Sequence, residues 1–334
     1  MAMKITRCVS SIRRAVLMGA AASLVAGAFA AQAQPAGYPN KPIRFVVPYA
    51  AGGLPDTVAR IVAQRLGDRV GQSVIVDNRP GANGGVAAGV LASAPADGYQ
   101  FLVTDGSMLS INPLIYSKLT YDPQKDFVPV ALVARAPLFL AVHPKVPVNT
   151  LDEFIAYVRA RPGQVNYGSS GIGSTHHLTI EAMKAALGLD MVHVPFKGTG
   201  QSVPALVGGQ VEALMSAYPS LSGFVKDGRV RMLAANSEQR SAQAPDLPAI
   251  AERIPGFDFA PIVGVLAPVG TPPEIVQKIA SEVSAIAKLP DAIQAMKTAG
   301  IDPIGGGSAE YAKAIGEENA RMARAIQTAG MKRE

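Results

Sequence analysis

Two glycine-rich segments carry the residues whose types and spacing suit chemistry: Tyr49-Ala50-Ala51-Gly52-Gly53-Leu54-Pro55-Asp56 and Gly168-Ser169-Ser170-Gly171-Ile172-Gly173-Ser174. Each lies between a β-rich run and the first residues of a helical apolar pattern. A helix start presents unpaired N–H groups and the positive end of its dipole, and glycine lets a ligand approach the backbone, so both segments suit an anion. The residues leave a second use open, in which the glycines only make tight turns and Asp56 and Ser174 cap helices. The first segment has no Lys-Ser or Lys-Thr after its glycines and lacks dinucleotide-fingerprint spacing, which disfavours phosphate hydrolysis and NAD binding.

Catalytic readings are weaker. Ser170 and Ser174 with His176 and His177 offer a nucleophile and a base, but there is no Gly-x-Ser-x-Gly elbow, and adjacent histidines point to different helix faces. The same pair lacks an i+4 partner and an acidic companion, so no metal site is expected. His193 sits in an alternating strand and His143 at a strand end, where core or edge roles are expected. The single Cys is Cys8, which leaves no thiol chemistry beyond it.

The elements that must position these segments read as alternating strands and helices. Ile43 to Val47 and Val74 to Val76 are strands, the first followed by a helix through Val58, Ile61, Val62 and Leu66. A helix of small residues over Val86 to Ala94 and a strand over Tyr99 to Thr104 complete a first α/β series. A second begins near Pro137: strand Leu138 to Val142, helix Leu151 to Ala160, strand Val165 to Tyr167, helix Thr175 to Leu187, strand Met191 to Val194, helix Ser202 to Val207, then strands Val211 to Ser216 and Val230 to Ala235. After Pro255, Ile262 to Leu266 reads as one more strand and the remainder as helix. A lone strand cannot make a sheet, so it is expected to return to the first series. The resulting class is α/β with two lobes, each a mainly parallel sheet flanked by helices. The lobes are residues 34–136 plus 256–334 and residues 137–255, joined by two crossovers near Ala136 and Pro255.

The 334 residues contain 31 Lys plus Arg and 25 Asp plus Glu, a formal +6. Lys4, Arg7, Arg13 and Arg14 account for four of the positives. They precede an apolar run over Ala15 to Ala30 and the small residues Ala31-Gln32-Ala33, the three-part pattern of an export leader over residues 1–33. The rest of the chain holds 27 positive against 25 negative residues, which argues against nucleic-acid binding. Cys8 precedes the apolar run, so it is not a lipid-anchor cysteine. The expected mature protein starts near Gln34, soluble in the periplasm.

Beyond these patterns, ordered segments carry a resemblance. They are Tyr38-Pro39, Val46-Val47-Pro48, the Ala-Gly-Gly-x-x-Asp of the first loop with Ala59-Arg60, Val76-Asp77-Asn78-Arg79-Pro80-Gly81-Ala82, Ala96-Asp97-Gly98-Tyr99, Asn112-Pro113, Asp126-Phe127-x-Pro129-Val130, Asn166-Tyr167-Gly168-Ser169-Ser170-Gly171-x-Gly173-Ser174, and His193-Val194-Pro195-Phe196-Lys197-Gly198. Over residues 38–330 the chain resembles the substrate-binding proteins of the tripartite tricarboxylate transporters, the Bug family. The resemblance implies a type II periplasmic binding protein, not an enzyme, that closes on a small organic carboxylate or amino acid and delivers it to membrane permease subunits. It implies a monomer without cofactor or metal. An extracytoplasmic sensing subunit for a sensor kinase would use the same cleft. Carried over residue by residue, the binding set is Ala50, Ala51, Gly52, Gly53 and Asp56, then Ser107, then Ser169, Ser170, Gly173, Ser174 and His177, with Asp105, Lys197 and Thr199 as further candidates. Two departures from the family pattern leave the ligand open: Leu214-Met215-Ser216-Ala217-Tyr218 lacks an acidic residue, and Asp105 stands where small or hydroxyl residues are usual. An inward Asp105 would favour a ligand bearing an ammonium group. An outward one would cap the Asp105-Gly106 turn with its side chain in solvent.

Overall fold

Eleven strands form two sheets in the computed structural model, which describes residues 37–328, 330, 331 and 333. The expected leader, its cleavage after Ala33 and Cys8 lie outside the described residues. From Lys41 onward the chain is one unit. Its first part runs β1 (Ile43–Val47), α1 (Leu54–Val70), β2 (Val74–Asn78), α2 (Gly85–Ala92), β3 (Gln100–Thr104), the short helices α3 (Ser107–Ser110) and α4 (Asn112–Ile115), and β4 (Phe127–Arg135). The middle part is β5 (Leu138–Val142), α5 (Leu151–Arg159), β6 (Asn166–Ser169), α6 (Thr175–Leu187), β7 (Val192–Pro195), α7 (Thr199–Val207), β8 (Ala213–Ala217), α8 (Tyr218–Lys226) and β9 (Arg231–Ala235). The chain returns through β10 (Ile262–Pro268), α9 (Pro273–Ile286), α10 (Pro290–Thr298), β11 (Asp302–Gly306) and α11 (Ser308–Thr328).

The six-stranded sheet has the order β11-β4-β10-β3-β1-β2 and the five-stranded sheet β7-β6-β8-β5-β9. Both are mixed, not mainly parallel as expected. β1 runs parallel to β2 and β3, and β6 to β7 and β8, whereas β4, β5, β9, β10 and β11 pair antiparallel. Topology explains the difference: β4 leaves the first sheet while β10 comes back into it, so these neighbours run in opposite directions. The parallel strands keep the βαβ pattern, and their carboxyl ends carry the two glycine loops. β5, Leu-Phe-Leu-Ala-Val, is buried along its whole length because helices cover both faces of its sheet.

Two further differences concern the C-terminal part. Residues after Leu266 were expected to be helical, yet Asp-Pro-Ile-Gly-Gly forms β11 at the sheet edge, a position that tolerates proline. Helix α11 serves both layers: Tyr311 lies in the core of the first sheet, while Met322, Ala325 and Ile326 join the core of the second.

The crossovers are tied together. Asn236, buried after β9, accepts the Leu138 N–H at 2.8 Å and donates from Nδ2 to the Phe259 carbonyl at 2.8 Å. The Ala136 N–H donates to the Pro261 carbonyl at 3.0 Å, and Arg135 pairs with Asp258 beside it. A bend at one connection is therefore felt at the other.

Candidate functional site

Loop one begins where β1 ends. Gly52 has φ +83, a conformation that disfavours any side chain, whereas Gly53 has an extended backbone at φ −75 and is the N-cap of α1. Asp56 is thus not the N-cap. It stands in the first turn and reaches back, where Oδ2 accepts the Gly52 N–H at 2.8 Å and Arg60 Nε at 2.9 Å, and Oδ1 accepts Asn78 Nδ2 at 2.9 Å. Burial alone would raise the Asp56 pKa, but the hydrogen bonds from Arg60, Gly52 and Asn78 outweigh it and hold it below the usual carboxylate value. The carboxylate is spent on shaping the loop. Ala50, Ala51 and Gly52 remain exposed, leaving the start of α1 open to a ligand.

The turn after β3 is joined to loop one through Tyr49, 56 and 58 residues from its partners. The Tyr49 hydroxyl donates to Asp105 Oδ1 at 3.0 Å and lies 2.7 Å from Ser107 Oγ. The same Oδ1 accepts the Ser107 N–H at 3.2 Å and the Ser107 hydroxyl at 2.9 Å. Asp105 does cap a turn, but from a position only 8% exposed, which corrects the expectation of a solvent-facing side chain. Its ring of donors is what tertiary packing adds to an Asp-Gly turn.

In loop two, Ser174 is the N-cap of α6, accepting the His177 N–H at 3.2 Å and donating to the Gly171 carbonyl at 2.7 Å. Ser169 Oγ bonds Gly171 and lies 2.7 Å from His193 Nε2, and Ser170 Oγ lies 2.8 Å from His176 Nδ1. The Gly173 N–H donates to His177 Nδ1 at 3.2 Å, so that nitrogen carries no proton. With its serines holding the loop and the His177 N–H taken by Ser174, the helix-start donors left at α6 are the N–H groups of Thr175 and His176. His193, read as a core or edge residue, belongs to this cluster: its ring stacks on His177 with centroids 3.8 Å apart and on Tyr167 at 4.9 Å.

Burial lowers His177 to about 4, and burial together with the neighbouring His177 lowers His193 to about 4. An unfolded chain, with ordinary imidazoles near 6.5, takes up protons before the folded one does as pH falls. The stability owed to the neutral stack is therefore complete above 6.5 and is lost as pH drops toward 4. The expected result is a melting temperature that declines over that window in the wild type and declines less in His193→Phe, which keeps a stacking ring without titrating nitrogens. A flat wild-type curve from 6.5 to 4 would count against the neutral stack.

The lobes meet at loop two. Asn83 Nδ2 donates to the Gly173 carbonyl at 2.9 Å and to Asn112 Oδ1 at 2.8 Å, and the Tyr116 hydroxyl donates to the Ile172 carbonyl at 3.2 Å. Gly173, at φ +71, lies so close to α4 that a Cβ would stand 1.8 Å from Ile115 Cδ1. The structure thus joins loop one to Ser107 through Tyr49 and sets Ile111, Ile115 and Tyr116 against Ile172 and Gly173. Lys197 is less involved: its side chain is exposed and its N–H bonds Gln201, while Thr199 opens α7 half-buried. Sequence reasoning missed Tyr49, Asn83, Asn112 and Tyr116 as partners. Asn112-Pro113 and the Asn78-Arg79-Pro80-Gly81 run were visible signals without an assigned contact. Among the described residues no cluster of three His, Cys, Asp or Glu side chains is arranged for a metal ion, and no helix is long and apolar enough to cross a membrane. A surface hollow bordered by Thr271, Gln277, Ser281 and Ser308 shares no residue with either glycine loop.

This geometry can be placed among known proteins. The model of the tripartite tricarboxylate transporter family receptor matches residues 58–331. The chain belongs to that family. Protein BugT of Bordetella pertussis is 33% identical over 88% of this chain and 91% of its own. Among solved structures, the R. palustris protein Rpa4515 with adipate is 35% identical with a TM-score of 0.85, covering 89% of this chain and all of that one. MatC from Rhodopseudomonas palustris with bound malate is 31% identical with a TM-score of 0.78, covering 86% and 100%. Two helix-flanked sheets are therefore the fold of a two-lobed periplasmic binding protein.

Proposed function

We propose that this family member captures a small organic carboxylate between its lobes in the periplasm and presents it to the permease subunits of a tripartite tricarboxylate transporter. The observation that carries the reading is loop one, whose exposed backbone opens a 17-residue helix and whose own carboxylate, Asp56, is spent on the Gly52 N–H, Arg60 and Asn78. An anionic ligand there gains helix-terminal N–H donors, about 0.3–1 kcal/mol from the dipole when exposed and more when water is excluded. The first N–H groups of α6 offer a counterpart on the other lobe. Neither set requires a metal or a cofactor. Adipate and malate in the two solved relatives fit such donors, and the leader pattern fits export.

The test is calorimetric titration of the mature protein with adipate, malate and matched amino acids, with the dimethyl esters of the two diacids as controls. Saturable binding of a free acid, absent for its ester, supports the reading. Binding of esters as strong as that of acids would sink it.

A further inference from the structure

Helix α11 carries a carboxyl group for which the cleft chemistry above has no use. Glu318 is 2% exposed, and its Oε2 has no hydrogen-bond partner among the described residues. It presses on the turn that holds Ser107: a Cβ on Gly106, which has φ +85, would stand 2.5 Å from Glu318 Oε2. Two carboxyl groups therefore flank one glycine. Asp105 is held by three hydrogen bonds from Tyr49 and Ser107, whereas two other hydroxyls, of Thr104 at the end of β3 and of Tyr311 two turns earlier on α11, are buried without partners among the described residues. The charged and titratable groups facing Glu318 are Asp105 from the β3 turn, Arg135 from β4, Asp258 from the second crossover, and Arg321 and Tyr311 from its own helix. Arg135 is engaged by Asp258. Of two adjacent acids in a dry site, the one without donors keeps the proton. Burial, and then the Asp105 charge, push the Glu318 pKa up to about 8 against the pull of Arg321 and Arg135.

We propose that Glu318 is a positioning residue of the cleft that works in its protonated form, seating α11 against the Gly106 turn so that Tyr49 and Ser107 stay in place, and that its ionisation weakens carboxylate capture as pH rises. The proposal rests on the carboxylate reading above. A carboxyl whose folded pKa lies above its unfolded value gives stability that is complete below the unfolded value and lost as pH rises through the folded one. An anionic ligand near the same turn adds negative charge and favours the proton further, so binding takes up protons in this window.

Thermal unfolding of the ligand-free protein from about pH 7 to about pH 9, above the range in which the histidine stack takes up protons, tests the proton directly. The wild-type melting temperature is expected to fall across that range and that of Glu318→Gln to stay level. A level wild-type curve, or an equal fall in the variant, overturns the proposal. If the variant does not fold, the infrared carbonyl band of a protonated carboxylic acid in the wild type, present at the low end and lost at the high end, takes its place, and its absence at the low end overturns the proposal. In calorimetry with adipate and malate, wild-type affinity is expected to fall about tenfold between pH 7 and 9 and that of Glu318→Gln less than about twofold. Equal losses in both proteins overturn the positioning role. Failure of both acids to bind the wild type at about pH 6 counts against the carboxylate reading for these ligands, while the ligand-free series still decides the state of Glu318.

Discussion

Gly173→Ala is expected to lower affinity for the captured acid by about tenfold or more while both sheets remain folded. Two costs add at this residue. Its φ of +71 lies in the left-handed region, where a side chain costs about 1–2 kcal/mol. Its new methyl would also stand 1.8 Å from Ile115 Cδ1, so Ile115 must leave its seat or loop two must move away from α4. Movement of the loop would also break the bond from Asn83 Nδ2 to the Gly173 carbonyl, a link across the two lobes. Each 1.4 kcal/mol lost on closing is a factor of ten in affinity. Calorimetry measures the loss, and small-angle scattering with saturating ligand shows whether the bound form stays less compact. The double variant Gly173→Ala with Ile115→Ala removes the collision but keeps the backbone cost, so it is expected to regain part of the affinity. Wild-type affinity in the single variant would show that this contact does not take part in closure.

Asp56→Asn is expected to lose about 2–4 kcal/mol of folding stability and most ligand affinity, although the two side chains have nearly the same shape. The carboxylate accepts three donors, from Gly52, Arg60 and Asn78. An asparagine offers one oxygen and one amide, and its NH2 must face either Asn78 Nδ2 or the Gly52 N–H and Arg60 side, setting donor against donor in a site 2% exposed. The pH dependence follows from the lowered pKa of Asp56. Its stabilisation is present above the unfolded carboxylate value and is lost as pH falls through the lower folded value, so the gap between wild type and variant closes in acid. Urea melts at neutral and acid pH measure it. A constant gap at every pH would mean that the charge contributes nothing and that only packing was disturbed.

These two residues show where local sequence suffices and where it fails. The strand, glycine turn and helix around Asp56 are local: β1, the apolar spacing of α1 and Pro55 in its first turn are legible within about twenty residues. The N-cap role of Ser174 is equally local, because a capping hydroxyl reaches an N–H three positions on. The bounds Leu138–Val142 and Thr175–Leu187 match those read from the sequence for the same reason, since their apolar runs end at proline or glycine. The glycine loops could be recognised as suited to an anion because helix starts attract anions whatever lies beyond them.

The rest depended on partners far along the chain. β11 has a sequence that favours no strand and exists because β4 offers an edge to pair with, which is how strand preference usually arises. Asp105 was read as a turn residue and proved to be a buried acceptor because Tyr49, 56 residues earlier, closes over it. His193 gained a role only when the parallel pairing of β6 with β7 set its ring beside Ser169 and His177. Glu318 reads in sequence as one more charge on an amphipathic helix. Its proton is decided by the low dielectric between α11 and the Gly106 turn and by the neighbouring charge of Asp105. Caps, turns and strand cores follow from interactions within a few residues, so the sequence determined the elements and the loops that end them. Burial of charge and contact between lobes are sums over distant segments, so the tertiary structure alone decided which side chains hold the cleft in shape.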